Sequence, residues 1–307
     1  MSPKLCSINI DLDEIPNYWA IHGLANAATG STTAVYDVAV GRLCALGKAL
    51  GVPLTFFVIG DDMRRPEAAA AMKDAVGNGH GVGNHSLSHR YDLTRRGRAE
   101  ITREIDDGRA AIERAVGMRP TGFRAPGYTI TDEVFDVLRE LGFAYDSSVF
   151  PCPAYMALKD AAIASYALLG RPSRSVVDTP AVLTAPTQPY RVGTPYWKRG
   201  AGLLEIPIQV TRGLRLPYFG TPLMMAGVDG ARWLTKGVIG DPFINLELHG
   251  IDVLDEHDEG LAALAPHQKD LRVPVAKKLA VLTAVIETLR GAGYAFVTLD
   301  EGAARLS

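Results

Sequence analysis

An α/β fold, a distorted (β/α) barrel of seven or eight units, is what this sequence predicts. Short apolar runs alternate with longer amphipathic ones along most of the chain, the mark of repeated βα units. Glycines suited to helix C-caps (Gly51, Gly79, Gly117, Gly142, Gly293) follow several of the amphipathic runs. With 307 residues, 47% of them hydrophobic, the chain can bury one large core. Residues 1–307 are therefore read as one domain, with 151–202 as a long insertion or lid within it.

Taken in order, strands are expected at 5–11, 54–59, 80–84, 122–124, 143–146, 203–208, 244–249 and 295–299. Helices are expected at 34–50, 67–78, 98–116, 131–141 and 273–292. Thr131, followed by Asp132 and Glu133, has the chemistry of an N-cap with acids in the first turn. Two stretches break the rhythm: a loop over 14–31, and 151–202, where Pro180, Pro186, Pro189 and Pro195 crowd together. Loops this long are lids or binding walls more often than linkers.

Composition excludes several functions. The net charge of −2, without blocks of like charge, suggests neither a nucleic-acid partner nor an acidic membrane surface. No apolar run approaches the roughly 20 residues of a membrane span. Three widely spaced cysteines, Cys6, Cys44 and Cys152, make neither a disulfide framework nor a zinc–thiolate site. Met1 leads straight into a strand-like segment, so a cytoplasmic location is the expectation.

The chemistry concentrates at strand ends. In the first strand Ser7, Asn9, Asp11 and Asp13 share a face opposite Cys6, Ile8, Ile10 and Leu12. In a barrel that face points at the axis, with both carboxylates at the C-terminal end where such folds keep their chemistry. They could serve as a turn or cap, or could flank a cation that relieves their desolvation. His85 and His89, four apart, would share one face of a helical turn and could share a metal, although an HxxxH pair alone is weak evidence. Arg124, in Arg124-Ala125-Pro126-Gly127-Tyr128, could clamp a carboxylate with its planar fork or form a structural ion pair. Asn245, Glu247 and His249 share a face of the 244–249 strand, which puts His249 where a general acid would stand.

Taken in order, these motifs resemble the NodB-homology domain of the polysaccharide deacetylases, carbohydrate esterase family 4. Asp11-Leu12-Asp13 resembles the first motif, Asn84-His85 through His89 the second and Arg124 through Tyr128 the third. Tyr145-Asp146-Ser147-Ser148 resembles the fourth and Leu248-His249-Gly250 the fifth. The Asp-x-Asp spacing is closest to a subgroup containing lipid-linked sugar deformylases and some cyclic-amide or peptidoglycan deacetylases. The resemblance implies a metal-dependent hydrolase of C–N bonds other than peptide bonds. In it Asp13, His85 and His89 would hold a divalent metal, zinc in the first instance and otherwise cobalt, nickel or iron. Asp11 would be the base, oriented by Arg124. His249 would protonate the leaving amine, and Asp146 would tune the site. A backbone N–H near Gly127 or Tyr128 would complete an oxyanion site.

Substrate contacts are expected from Gly127, Tyr128, Glu247 and Trp197. The substrate class is an N-acetyl or N-formyl amino sugar, free or carried on a lipid or nucleotide; peripheral contact with a lipid-linked substrate would suit the apolar stretch 214–227. The alternatives are a linear non-sugar amide of the ureide or formamide type, for which a small closed pocket under 151–202 would argue, and a non-catalytic binding protein of the same fold.

Overall fold

Strand β1 (Lys4–Asp11) organises the molecule because both of its edges are used. It pairs in parallel with β2 (Leu54–Val58), β8 (Phe243–His249) and, at its lower end, β9 (Tyr294–Phe296). A computed structural model describes residues 4–25, 30 and 32–306. Its sheet continues from β2 through β3 (Gly81–Asn84), β4 (Gly122–Phe123) and β5 (Tyr145–Asp146) to β7 (Arg199–Glu205). The antiparallel β6 (Tyr190–Val192) lies at the edge. The result is a curled half-barrel. Its open side, between β7 and β8, is bridged where the Gln209 N–H donates to the Asn245 carbonyl (3.1 Å) rather than by strand pairing.

The alternation in β1 settles what faces what. Cys6, Ile8 and Ile10 enter the main core beneath the helices. Ser7, Asn9 and Asp11 turn into the barrel, where the Asn9 amide donates to Asn245 Oδ1 (2.6 Å) and Asn245 Nδ2 donates to Ser147 Oγ (2.9 Å). These contacts satisfy the Asn9 and Asn245 amide groups, while Ser7 Oγ and Asn9 Oδ1 are buried without a hydrogen-bond partner. This polar ladder is the floor on which Asp11 stands.

Around the sheet lie α2 (Val40–Leu50), entered through a π-turn at Val35–Ala39, then α3 (Pro66–Gly77), α4 (Arg98–Val116), α5 (Asp132–Glu140) and α8 (Val275–Gly291). Gly51 and Gly117 close α2 and α4 in the left-handed conformation that a Cβ disfavours. Thr131 caps α5, its Oγ1 accepting from the Val134 N–H.

Four helices differ from the sequence expectation. Residues 14–31 contain α1 (Ile15–Ile21), started by the Glu14 carboxylate accepting from the Ile15 N–H; residues 26–29 and 31 of that loop lie outside the described residues. The stretch 151–202 contains α6 (Pro153–Leu168) and the β6–β7 hairpin, its prolines falling at the start of α6 and in the turns rather than inside either element. The apolar stretch 214–227 runs into α7 (Gly220–Lys236), which buries Leu223 and Met224 and leaves Leu214 and Met225 exposed. Leu299, expected at the end of the last strand, opens α9 (Leu299–Leu306). Among the described residues no helix is long and apolar enough to cross a membrane.

Candidate active site

Asp11, Asp13, His85 and His249 meet at the C-terminal end of the strands in one cavity of about 150 Å³. A larger cavity of about 440 Å³, lined by Cys44, Lys48 and His80, lies at the other end of β2 and β3 and holds none of these groups. Chemistry and space part company here, and the functional side chains decide which cavity is the site.

His85 follows β3 directly. His89 reaches the same point through a loop, not through the helical turn that its spacing suggested. Ser86 (φ 67°) and His89 (φ 54°) both adopt left-handed backbone, uncommon for residues with a Cβ and concentrated at functional sites. Helix α4 supports that loop: Glu104 accepts from the Ser88 N–H (3.0 Å) and Oγ (2.8 Å), and its carbonyl takes the Leu87 N–H (2.8 Å). Gly108 lets α4 come this close, since a Cβ there would stand 2.7 Å from the Leu87 nitrogen. The imidazole rings end 4.8 Å apart.

These residues fit a cation. His85 Nδ1 is 2.7 Å from the Arg124 carbonyl, which can only accept, so the proton belongs on Nδ1 and the lone pair on Nε2. That Nε2 lies 3.2 Å from Asp13 Oδ1, and His89 Nε2 lies 3.0 Å from the same oxygen. Both His89 nitrogens and Asp13 Oδ1 are buried without a hydrogen-bond partner. Lone pairs converging on a carboxylate call for a proton or a metal ion between them. Asp13 belongs with the charged partners: burial would raise its pKa, but the His89 and His85 rings reverse that and hold it well below the usual carboxylate range.

Beside this triad, Asp11 Oδ1 accepts from Arg124 Nη1 (2.8 Å), while Asp11 Oδ2 stands 3.9 Å from His85 Nε2. Arg124 is fully buried. Its Nε donates to the Ser147 carbonyl (2.7 Å) and its Nη2 to Ser147 Oγ (2.7 Å), with the guanidinium 4.2 Å from the Phe57 ring centroid. Its side chain thus fixes Asp11 while its carbonyl fixes His85.

On the opposite wall His249 Nδ1 lies 3.1 Å from Glu247 Oε1 and Nε2 lies 3.1 Å from the Tyr128 hydroxyl. Burial disfavours charge on His249, yet the Glu247, Asp13 and Asp11 carboxylates outweigh it and raise its pKa to about 9. Burial likewise pushes Glu247 up, so this pair retains a proton between its members through the neutral range. Asp252 accepts the His249 backbone N–H (2.8 Å) and positions the chain rather than the ring.

Other expected residues stand elsewhere. Asp146 lies beneath the site, its carboxylate accepting from the Ser148 N–H (2.9 Å) and Oγ (2.8 Å); Ser148 Oγ in turn accepts the Ala125 N–H (2.8 Å). Burial raises the Asp146 pKa and, with Asp146 beside it, that of Glu205 still further. Asp146 therefore acts through the backbone that follows Arg124. Gly127 and Tyr128 line the cavity, but the Tyr128 N–H donates to the Ala125 carbonyl (3.1 Å), so the Tyr128 hydroxyl is the polar group it offers there. Trp197 packs edge-on against Tyr196 at the second core cluster, away from the cavity. An aromatic residue in a long insertion carries no sign of which way it faces.

Two wall residues, Tyr91 and Lys159, escaped sequence reasoning. Tyr91 meets the His89 ring edge-on at 4.8 Å, and Tyr18, Tyr155, Lys159 and Phe219 complete the enclosure. Tyr91, two residues beyond the second histidine, could have been found by its place; Lys159 had no such signal. Above them His22 forms a clasp, with Nδ1 2.8 Å from the Tyr166 hydroxyl on α6 and Nε2 3.0 Å from Gln268 Oε1.

Known proteins share part of this sequence and this fold. The polysaccharide deacetylase family profile matches residues 35–145, which include His85, His89 and Arg124 but not Asp11, Asp13 or His249. A peptidoglycan deacetylase of Helicobacter pylori is 25% identical over 150 residues, 47% of this chain and 49% of that protein. A peptidoglycan-N-acetylglucosamine deacetylase of Bacillus cereus is 34% identical over 89 residues, 29% of this chain and 40% of that protein. The chain thus spans half or less of the length of these two relatives. Among solved structures, a provisionally named polysaccharide deacetylase from Mycobacterium smegmatis superposes with a TM-score of 0.60 at 18% identity, covering 99% of this chain and 91% of that one. A family 4 carbohydrate esterase from Streptomyces lividans gives 0.51 at 13% identity, covering 95% and 91%. Residues 35–145 therefore match the polysaccharide deacetylase family, and the described chain has the fold of the solved structures that superpose on it.

Proposed function

We propose that this protein is a metal-dependent N-deacylase that removes an N-acyl group, acetyl in the first instance, from an amino sugar. The observation that carries the reading is the meeting of Asp13, His85 and His89, with unpartnered buried ligand atoms, beside Asp11 and opposite His249. The names of the peptidoglycan-deacetylase relatives favour acetyl over formyl.

A divalent ion held by Asp13, His85 and His89 would supply Lewis-acid polarisation of the acyl carbonyl. The remaining roles fall to the chain itself. Asp11, oriented by Arg124, takes the proton of the attacking water. His249, kept protonated by the carboxylates around it, gives a proton to the departing nitrogen. Tyr128 holds Nε2 of His249 toward the cavity.

A compact non-sugar amide is the second reading. It draws on the small size of the cavity and on its cover, since Tyr155 and Lys159 of α6 form one wall and the His22 clasp ties that helix down. Linkage of the substrate to a lipid would suit the exposed Leu158, Leu168 and Leu169 at α6 and its end.

The test joins metal analysis to product analysis. Protein stripped of metal and reloaded with Zn²⁺ should hold one ion per chain and release acetate from N-acetylated sugars. His85→Ala should lose both properties. Wild-type protein that takes up no ion would refute the mechanism, and release from small amides alone would select the second reading.

A further inference from the structure

Lys159 is a cation that the proposed chemistry does not use. It stands on α6 and lines the same cavity as Asp11, Asp13, His85 and His249. Its Nζ donates to the Gly127 carbonyl (2.8 Å) and lies 5.6 Å from the Tyr155 ring centroid. Among the described residues no carboxylate forms an ion pair with it. The nearest acids favour its charge through space without forming an ion pair with it: Asp178, whose Oδ1 accepts the Tyr196 hydroxyl (2.7 Å), and the exposed Asp160.

The other charges in the cavity are matched. Arg124 answers Asp11, His249 answers Glu247, and a bound dication would more than answer Asp13. Lys159 is left as a positive charge whose hydrogen-bond partner is neutral. An ammonium taken from water into such a place is costly unless an anion joins it. Its depressed pKa, drawn down to about 8 by burial, expresses the same cost.

Resting on the deacylase reading, we propose that Lys159 binds a carboxylate carried by the substrate, so that the enzyme acts on N-acylated acids in preference to their neutral counterparts. Gly127 and Tyr128 sit between Lys159 and His249, so a substrate engaging both would span the third-motif turn. Helix α6 then contributes selection as well as cover.

The test uses matched pairs that differ only in the acid: N-acetylmuramic acid against its lactyl carboxamide, and N-acetylglycine against N-acetylglycinamide. Binding to the Zn²⁺-loaded protein is measured by calorimetry, and acetate release by KM and kcat. The acids should bind roughly ten- to a hundredfold more tightly, the range of a charge-assisted hydrogen bond. Lys159→Gln should abolish that preference and Lys159→Arg should restore it. A residue that merely props the Gly127 turn would not move the ratio of acid to neutral ligand. The first pair showing the preference indicates a sugar acid, the second an acyl amino acid. Equal binding within both pairs, no measurable affinity for either acid, or a preference that survives in Lys159→Gln would overturn the proposal. Release of acetate from the neutral members, lost in His85→Ala, would still uphold the deacylase reading, so the two can fail separately.

Discussion

Two neighbours work on opposite sides of the His249 ring: Glu247 at Nδ1 and Tyr128 at Nε2. A general acid is useful only while it carries its proton, which is lost as pH rises through its pKa. With His249 raised to about 9, activity should persist through neutral pH and fall on an alkaline limb near that value. Glu247→Gln removes the nearest carboxylate and leaves only Asp13, Asp11 and Asp252 to oppose burial. The limb in kcat should then move to lower pH. A pH profile of kcat for the two proteins measures this, and coincident limbs would show that Glu247 does not govern the acid. Glu247 was legible in the sequence as a same-face neighbour of His249, but its role was not. The face alternation of a strand says which side chains share a side, not which atoms touch.

At the scale of elements, what the sequence shows depends on periodicity. Helices α4 and α5 carry clear amphipathic faces and marked termini, and both fall within a residue or so of their expected limits. Helix α6 has no fully buried residue and therefore no apolar stripe to betray it. What holds it is specific contact. Tyr166 meets His22, Lys159 meets Gly127, and beyond its end the Ser173 hydroxyl donates to the Ile21 carbonyl (2.6 Å). Burial depresses the pKa of His22, with Gln268 and Asp270 opposing the shift and His267 adding to it. The unfolded or opened chain therefore binds the proton more readily. The clasp keeps its full strength above the ordinary imidazole pKa of 6.5 and weakens as pH falls below it. Amide protection in α6, taken relative to the intrinsic exchange rate, should fall between about pH 7.5 and about pH 5.5, and His22→Gln should flatten that response. Equal pH dependence in both proteins would contradict this role for His22.

Across the whole molecule, the half-barrel brings together residues as distant in sequence as Asp11 and His249 because β1 and β8 are neighbours in register, with Asp11 opposite His249. The matching polar faces of these two strands made that meeting readable before any coordinates. The loop path to His89 was not readable, because it depends on two left-handed residues and on the approach of α4. Nor was the packing of Trp197 into the second core. A site whose ligands come from β1 and from the loop after β3 ties those elements together when filled. Metal loading should therefore raise the melting temperature, through a stabilisation of about 4 kcal/mol at a free-ion concentration a thousand times Kd. Chelation should reverse the gain, and His89→Ala should show none of it. A melting temperature indifferent to metal would mean that the ion binds folded and unfolded chains alike.

Arg124 gives one partner its side chain and another its backbone. Every substitution leaves the carbonyl that holds His85 Nδ1, while only the guanidinium can meet Asp11 and Ser147 at once. Arg124→Lys should therefore pull apart two properties that usually fail together. The protein should keep its affinity for the ion yet lose turnover by roughly a hundredfold or more, because its base is no longer aimed. Ion titration and rate measurement on the same sample would show whether that separation exists. If it does, this position is a place where evolution could silence the enzyme and keep a metal-binding protein, in a single step.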